Sequence, residues 1–320
     1  MKRIGILTSG GDSPGMNAAI RAVVRGAIYN EMEIFGIKRG YEGLIQGEIN
    51  QMSTSSVADI LQRGGTILRT ARSQSFKEPE GFKRALDMLS SFEIEGLVII
   101  GGDGSLRGGL ELAKAGITVM GLPGTIDNDL AYTDFTIGFD TAVNTVLTAV
   151  GNIRDTSSSH ERSTVIEVMG RNCGDIALYA GLAGGAESIL VPEIPTDMHA
   201  ICRKLVQGRN RGKLHNILVI AEGVDISSQQ LADTIIEKTG MDTKVVVLGY
   251  TQRGGSPTAR DRILASRMGY KAIELLKAES RSKAIGIRGT EIIHCDLEQA
   301  LQMKKEINQT YMELADILSI

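Results

Sequence analysis

Residues 98–108 read VIIGGDGSLRG. An apolar, β-branched run that ends in glycines and passes into a helical pattern is a strand–turn–helix unit, and its glycines let backbone N–H groups come close to phosphate. Asp103 sits inside that turn, where its carboxylate would repel phosphate unless a cation lay between them. Mg²⁺ is the usual bridge, held by one or two carboxylates together with phosphate oxygens and water. Gly102, Gly104 and Gly108 do not follow the dinucleotide fingerprint, which needs two residues between its second and third glycines. Taken alone, Asp103 also reads as a turn residue capping the helix that follows.

The same unit recurs along the chain. Ile4–Leu7 leads into TSGGDSPG (8–15) and a helix near Met16–Tyr29, and Ile34–Ile37 is a second strand. Leu97–Ile100 leads into the quoted loop and a helix near Leu106–Ala115. Val119–Leu122 leads into PGTIDND (123–129), and a longer helix follows at about Thr141–Ile153. Val165–Val168 leads into MGRNCGD (169–175) and a helix near Ile176–Ala183. Ile189–Val191, Ile217–Ala221 and Val245–Leu248 read as strands, and Met198–Gln207, Ser228–Lys238 and Ala259–Leu276 as helices. Such alternation predicts an α/β protein with parallel sheets covered by helices on both faces, and ligands at the carboxyl ends of the strands. A chain of 320 residues suits two domains of roughly 150 residues each. Their boundary is placed near Gly138, with a return to the first domain after Gly254: residues 1–138 plus about 254–305, and 139–253 plus about 306–320.

Composition narrows the function. With 42% hydrophobic and 23% charged residues and a net charge of −3, the chain reads as an ordinary globular protein without the basic field that nucleic acid or anionic lipid would require. Tryptophan is absent and aromatics make up 4%, which disfavours stacking platforms for single-stranded nucleic acid. Cys173, Cys202 and Cys295 form no CxxC pair, so no disulfide framework or zinc site is expected. The start, MKRIGILTSGGD, is too short in its apolar run for a signal peptide, and no run approaches the about 18 apolar residues of a membrane span. A cytoplasmic location, with neither nucleic acid nor membrane as partner, is the expectation.

The loops carry the chemistry. In GGDSPGMN, Gly10 and Gly15 have P-loop spacing, but Met16-Asn17 replaces the required Lys-Ser/Thr pair. What remains is a backbone nest at a helix N-terminus, or a tight turn without a ligand. PGTIDND places Asp127 and Asp129 two residues apart, beside Thr125. One carboxylate can take a proton from a hydroxyl and the other can orient water around a metal; the stretch also reads as an Asx-rich turn. Arg72, Arg162, Arg171 and Arg253 lie among glycine and polar neighbours, where they could hold phosphate or face solvent. Arg21 and Arg25 share one helix face. With Arg154, Arg211, Lys213 and His215 they form either a second anion site or a solvated surface.

These loops, in this order, resemble the bacterial ATP-dependent 6-phosphofructokinases. The resemblance spans nearly the whole chain: LTSGGDSPGMNAAIR, IGGDGS, PGTIDND, TIGFDTA, IRDTSSSHER, IEVMGRNCGD, GLAGGAE, AEGV and QRGGSPTARDRILASRMG. It implies the phosphofructokinase fold, two Rossmann-like three-layer domains with mostly parallel sheets, and transfer of the γ-phosphoryl of ATP to the 1-hydroxyl of fructose 6-phosphate. Asp127 would be the base, with Thr125 and Arg171 stabilising the transferring group, and Asp103 and Asp129 serving Mg²⁺. Gly11, Tyr41, Arg72, Ser73, Gly102, Asp103, Gly104, Ser105 and Gly108 match ATP-contacting positions. Thr125, Ile126, Asp127, Met169, Gly170, Arg171, Glu222, Tyr250 and Arg253 match sugar-phosphate contacts, and Arg162 and Lys244 match contacts supplied by a neighbouring subunit, which implies a homotetramer. Arg21, Arg25, Arg154, Gly185, Ala186, Glu187, Arg211, Lys213 and His215 match an effector site for ADP or phosphoenolpyruvate.

The chain departs from that pattern at several points. Tyr250 and Lys244 stand where the family usually has His and Arg. Leu106 and Arg69 replace common tyrosines near the nucleotide. Ser73 falls at a variable position, and Thr54 stands where some members carry an effector-site arginine. Two rival readings remain: a pyrophosphate-dependent relative, which typically carries a larger residue at 104 and Lys at 124 where this chain has glycines, and a non-catalytic sensor of nucleotide or sugar phosphate.

Overall fold

The computed structural model describes residues 1–319. The chain opens with β1 (Arg3–Thr8), α1 (Met16–Tyr29), β2 (Glu33–Ile37), α2 (Gly40–Gln46), β3 (Ile49–Gln51), α3 (Pro79–Ser91), β4 (Gly96–Gly101), α4 (Asp103–Lys114) and β5 (Thr118–Pro123). It continues with α5 (Phe139–Ser159), β6 (Ser163–Val168), α6 (Asp175–Ala183), β7 (Ser188–Leu190), α7 (Met198–Asn210), β8 (Asn216–Ala221), α8 (Ser228–Thr239) and β9 (Thr243–Val247). It closes with α9 (Ala259–Lys277), β10 (Lys283–Arg288), β11 (Glu291–Asp296), α10 (Leu297–Gln302) and α11 (Gln309–Leu318). Two compact units result. One comprises Met1–Ile126, Leu130–Thr141 and Arg253–Lys304; the other comprises Asp127–Asp129, Ala142–Gln252 and the segment from Lys305 on.

In the first unit a seven-stranded sheet runs β11-β10-β5-β4-β1-β2-β3. Its five central strands are parallel, and β3 and β11 close the edges antiparallel. Alternate residues of each strand point to opposite faces, and both faces are covered. Ile4 and Ile6 of β1, Val98 and Ile100 of β4, and Met120 and Leu122 of β5 pack into one apolar layer with α1 and α9. Leu7, Leu97, Ile99 and Val119 pack into the opposite layer with residues of α2, α3, α4 and α10. Strand order reverses between β1 and β4, so the loops after these two strands flank a topological switch point, where open α/β sheets bind ligands.

The start of α5 is pinned to α9 from within. Asp261 is 1% exposed and accepts hydrogen bonds from Gly138 N, Thr141 N and Thr141 Oγ1 at 3.0, 2.8 and 2.6 Å. Burial pushes its carboxyl up to about 6, against the opposite pull of those three bonds.

The second unit has a fully parallel four-stranded sheet, β7-β8-β6-β9. Its loops after β6, β8 and β9 begin at Met169, Glu222 and Leu248, along one carboxyl edge. On one face, Val165, Leu218 and Ile220 pack against Leu205 of α7 and Leu231 and Ile235 of α8.

Candidate active site

In the first unit the quoted loop is shorter than expected from its glycines. Asp103, Gly104 and Ser105 already form the first turn of α4, with Gly102 as its N-cap and no side-chain cap. The expected start near Leu106 is therefore corrected by one turn. Asp103 is not the capping residue; its Oδ2 accepts from Arg107 Nε one turn on, at 2.7 Å. The first N–H groups of a helix lack intrahelical partners, a setting that favours anions.

The loop after β1 lies beside it. Ser9 N donates to Ile100 O at 3.1 Å, and a Cβ on Gly101 would stand 2.6 Å from Ser9 O. Gly10 has φ +83°, the left-handed region that glycine occupies without strain. Arg253 belongs to this unit, and its Nη1 lies 2.2 Å from where a Cβ on Gly11 would be. A guanidinium thus covers a glycine-built backbone nest. Thr125 is 9% exposed; Thr136 Oγ1 donates to its carbonyl at 2.6 Å.

Tyr41 supports this region from beneath. Its ring is buried and stacked on Phe76, its hydroxyl donates to Ser105 O, and a Cβ on Gly108 would meet the ring at 2.8 Å. Ser73 Oγ donates to Glu42 Oε2 at 2.8 Å, and Arg72 is exposed. The segment carrying them is held by two buried polar residues. Asn17 donates to Arg63 O and Gly64 O and accepts from Ile67 N, and Thr8 Oγ1 donates to Arg69 O at 3.0 Å.

Gly104 and Gly124 differ in what surrounds them. A Cβ at 104 would meet nothing within 4 Å. A Cβ at 124 would stand 2.8 Å from Ile100 Cγ2 and 3.1 Å from Met16 Cε. Position 104 is open and position 124 is packed.

In the second unit the predicted base and cation meet. Asp127 is buried, its side chain 3% exposed, and its Oδ2 lies 3.3 Å from Arg171 Nε. The loop that presents Arg171 is sharply bent: Gly170 has φ +133°, Arg171 itself has φ +52°, and a Cβ on Gly170 would fall 2.4 Å from Cys173 O. Arg171 N donates to Glu222 Oε1 at 2.8 Å, which joins the loops after β6 and β8. Met169 N donates to Gln252 Oε1 at 3.1 Å, which joins the loop after β9. Gln252 is fully buried. Tyr250 is 81% exposed. Asp242 lies between Lys244, at 3.0 Å, and Arg162 Nε, at 3.9 Å. Asp129 follows Asp127 by two residues and is half-buried, and Ile126 is buried at the end of the first unit's stretch.

The residues matched to an effector site are divided between the units. Arg21 and Arg25 lie on α1 of the first. In the second, Arg154 Nη2 donates to the carbonyls of Gly184 and Gly185 past the C-terminal end of α6, where cations are favoured. Lys213 Nζ lies 2.6 Å from Oε1 of Glu187, whose Oε2 accepts from Ile217 N. Arg211 is exposed, and Ala186 is buried.

Backbone nests and a helix N-terminus at the carboxyl edge of one parallel sheet, and a buried carboxylate paired with an arginine at the edge of another, are the equipment of an α/β phosphotransferase. The family model described as phosphofructokinase matches residues 3–276. The ATP-dependent 6-phosphofructokinase of Alkaliphilus metalliredigens (strain QYMF) is 60% identical over 320 residues, covering 100% of both chains. That of Clostridium tetani (strain Massachusetts / E88) is 57% identical over 319 residues, again covering 100% of both. The phosphofructokinase structure from Saccharomyces cerevisiae superposes with a TM-score of 0.91 at 37% identity, and this chain covers 48% of that one. A pyrophosphate-dependent phosphofructokinase from Marinobacter aquaeolei shares the fold, with a TM-score of 0.85 at 22% identity, covering 98% of this chain and 91% of that one. The chain belongs to the phosphofructokinase family. Among the described residues no helix is long and apolar enough to cross a membrane.

Proposed function

We infer that the chain transfers the γ-phosphoryl group of ATP to the 1-hydroxyl of fructose 6-phosphate, giving fructose 1,6-bisphosphate and ADP, a step of glycolysis. The observation that carries this reading is the likeness over entire chains, at 56–60% identity, to relatives named ATP-dependent 6-phosphofructokinase. In this reading the cytoplasmic chain acts as a homotetramer, with ADP or phosphoenolpyruvate as effectors at Arg21, Arg25, Arg154, Gly185–Glu187, Arg211, Lys213 and His215.

The first unit's loops receive the nucleotide. Gly11, Gly102 and Gly104 offer backbone N–H groups to phosphate oxygens, with Ser105 beside them, and Arg72 and Ser73 flank them. Mg²⁺ fits the donor set here: Asp103 is a 40% exposed carboxylate at a helix start, and Mg²⁺ takes one or two carboxylates with phosphate oxygens and water. Among the described residues no group of three or more His, Cys, Asp or Glu is placed to hold a metal by itself. When bound it neutralises charge on the phosphate oxygens, with Asp103 as its carboxylate and Asp129 in support.

The residues matched to sugar-phosphate contacts act on the sugar phosphate. Asp127 takes the proton from the 1-hydroxyl as that oxygen bonds to the γ-phosphorus and the bond to the ADP oxygen breaks. Arg171, beside Asp127, meets the charge on the transferring group, and Thr125 adds a hydroxyl. Met169, Gly170 and Glu222 hold the sugar, while Tyr250, Arg253, Arg162 and Lys244 address its 6-phosphate. The test is a coupled assay of fructose 1,6-bisphosphate formation with Mg²⁺, comparing ATP and pyrophosphate as donors. Turnover with ATP alone is expected; turnover with pyrophosphate would overturn the donor.

Two predictions concern the 6-phosphate. Tyr250 can give one neutral hydrogen bond, whereas an imidazolium gives a charge-assisted one. Tyr250→His is expected to lower half-saturation by fructose 6-phosphate, by up to about fivefold for a gain near 1 kcal/mol. Half-saturation equal to that of the parent would contradict it. Asp242 competes with phosphate for Lys244 and Arg162, and exposed pairs of this kind are worth about 0.2–1 kcal/mol. Asp242→Asn should therefore tighten half-saturation by no more than about fivefold, and the gain should shrink as ionic strength rises. A weaker half-saturation would mean that Asp242 aligns the two cations for phosphate.

A further inference from the structure

Between the two carboxylates of PGTIDND stands Asn128, fully buried with φ +54°. Asparagine tolerates this left-handed conformation better than other non-glycine residues, but it still needs to be held there. Asn128 Nδ2 donates to Asp175 Oδ2 at 2.7 Å. Asp175 is the first residue of α6 and is 3% exposed. Its countercharge comes from far along the chain: Lys305 Nζ lies 3.1 Å from the same Oδ2. Asn128 O accepts from Cys173 Sγ at 3.8 Å, and burial pushes the Cys173 thiol up to about 12, so it stays protonated and able to donate. Gly174 N, at the head of α6, donates to Glu193 Oε1 at 2.9 Å, which fixes the turn leading into Asp175.

The loop 169–175 therefore grips 127–129 through Arg171, Cys173 and Asp175. Arg171 holds the side chain of Asp127, and Asp175 holds the residue that follows it. A buried carboxylate is costly unless paired and hydrogen-bonded, and here the pairing locks the backbone between the two site aspartates. We propose that Asp175, with Lys305 as its countercharge, is a positioning residue that fixes Asn128 and thereby sets the direction of Asp127 and Asp129. The proposal rests on the reading of Asp127 as the base. It gives the segment beginning at Lys305 a part in the chemistry, although that segment carries none of the residues matched to substrate.

Two charge-neutral variants of similar volume separate positioning from general support. Asp175→Asn/Lys305→Met keeps an acceptor oxygen for Asn128; Asp175→Leu/Lys305→Met removes it. The asparagine pair is expected to exceed the leucine pair at least tenfold in kcat, with half-saturation by ATP and by fructose 6-phosphate in the two agreeing within threefold. Hydrogen–deuterium exchange over residues 123–130 should be faster in the leucine pair. Equal kcat and equal exchange in two folded pairs would overturn the proposal, as would a loss confined to half-saturation. If the leucine pair does not fold, Asn128→Ala breaks the same bond from the other side: lowered kcat with faster exchange is expected, and parental values would overturn it. Exchange does not depend on turnover. A parent protein that phosphorylates nothing would therefore count against the proposed activity, while the exchange comparison still decides the role of Asp175.

Discussion

Asp127→Ser is expected to lower kcat by about 10²- to 10⁴-fold, the range for loss of a positioned general base. Half-saturation by ATP should move little, because a general base acts in the transition state and not in nucleotide binding. Asp127 is nearly inaccessible to water, with its side chain 3% exposed, so solvent cannot readily take over its proton-accepting role. The substitution also releases Arg171 from its ion pair. An arginine freed from a carboxylate is more available to phosphate in the ground state, so half-saturation by fructose 6-phosphate should stay level or fall as kcat drops. That combination separates a base from a binding residue. If kcat and half-saturation both worsen and the loss is less than about tenfold, Asp127 would be a sugar ligand and another group would take the proton. Steady-state kinetics with each substrate varied in turn settles the matter.

Strands β1, β2 and β4 to β9 are legible because buried parallel strands are short apolar runs closed by glycine or polar residues. α1 begins and ends where its apolar spacing predicts, at Met16 and Tyr29. Other features were hidden for physical reasons. GGDG looks like a loop because glycine disfavours helix interiors, yet only the first turn is involved, where Gly102 as N-cap starts the helix. The hairpin of β10 and β11 carries only a partial signal: IGIR alternates before Gly289, which has φ +56°, but Ile292 and Ile293 stand side by side. α3 opens with Pro79 in its first turn, a start signal that was available in the sequence. Asp127 and Arg171 could be singled out from their loops, but their contact spans 44 residues and needs the fold. Gln252 and Lys305 gave no local sign, since a residue that holds a backbone amide or neutralises a distant carboxylate has no characteristic spacing. Gly104 and Gly124 read alike in the sequence as donor markers, and the structure separates them: one borders open space and the other lies against Ile100 and Met16.

That difference leads to the second large effect. Gly104→Asp should fold normally and lose ATP use. A Cβ at 104 meets nothing within 4 Å, and the residue lies in the first turn of α4, where an acidic side chain is favoured by about 0.3–1 kcal/mol. Aspartate also has less backbone freedom to lose than glycine, so the melting temperature should hold or rise. The cost falls on the ligand. A unit charge about 4 Å from a phosphate charge is repelled by about 4 kcal/mol at an effective dielectric constant near 20, so half-saturation by ATP should rise at least about 100-fold. A lowered melting temperature with unchanged ATP half-saturation would show that Gly104 serves the helix and not the nucleotide. Gly104→Asp alone should not create use of pyrophosphate, because the second marker of those relatives, lysine at 124, has no room here. Its Cβ would overlap Ile100 Cγ2 at 2.8 Å, and overpacking of this kind costs about 1–3 kcal/mol. Changing the donor would therefore need the apolar layer behind β4 and α1 to be rebuilt along with the loop. Gly124→Lys should lower the melting temperature on its own, whereas Gly104→Asp should not.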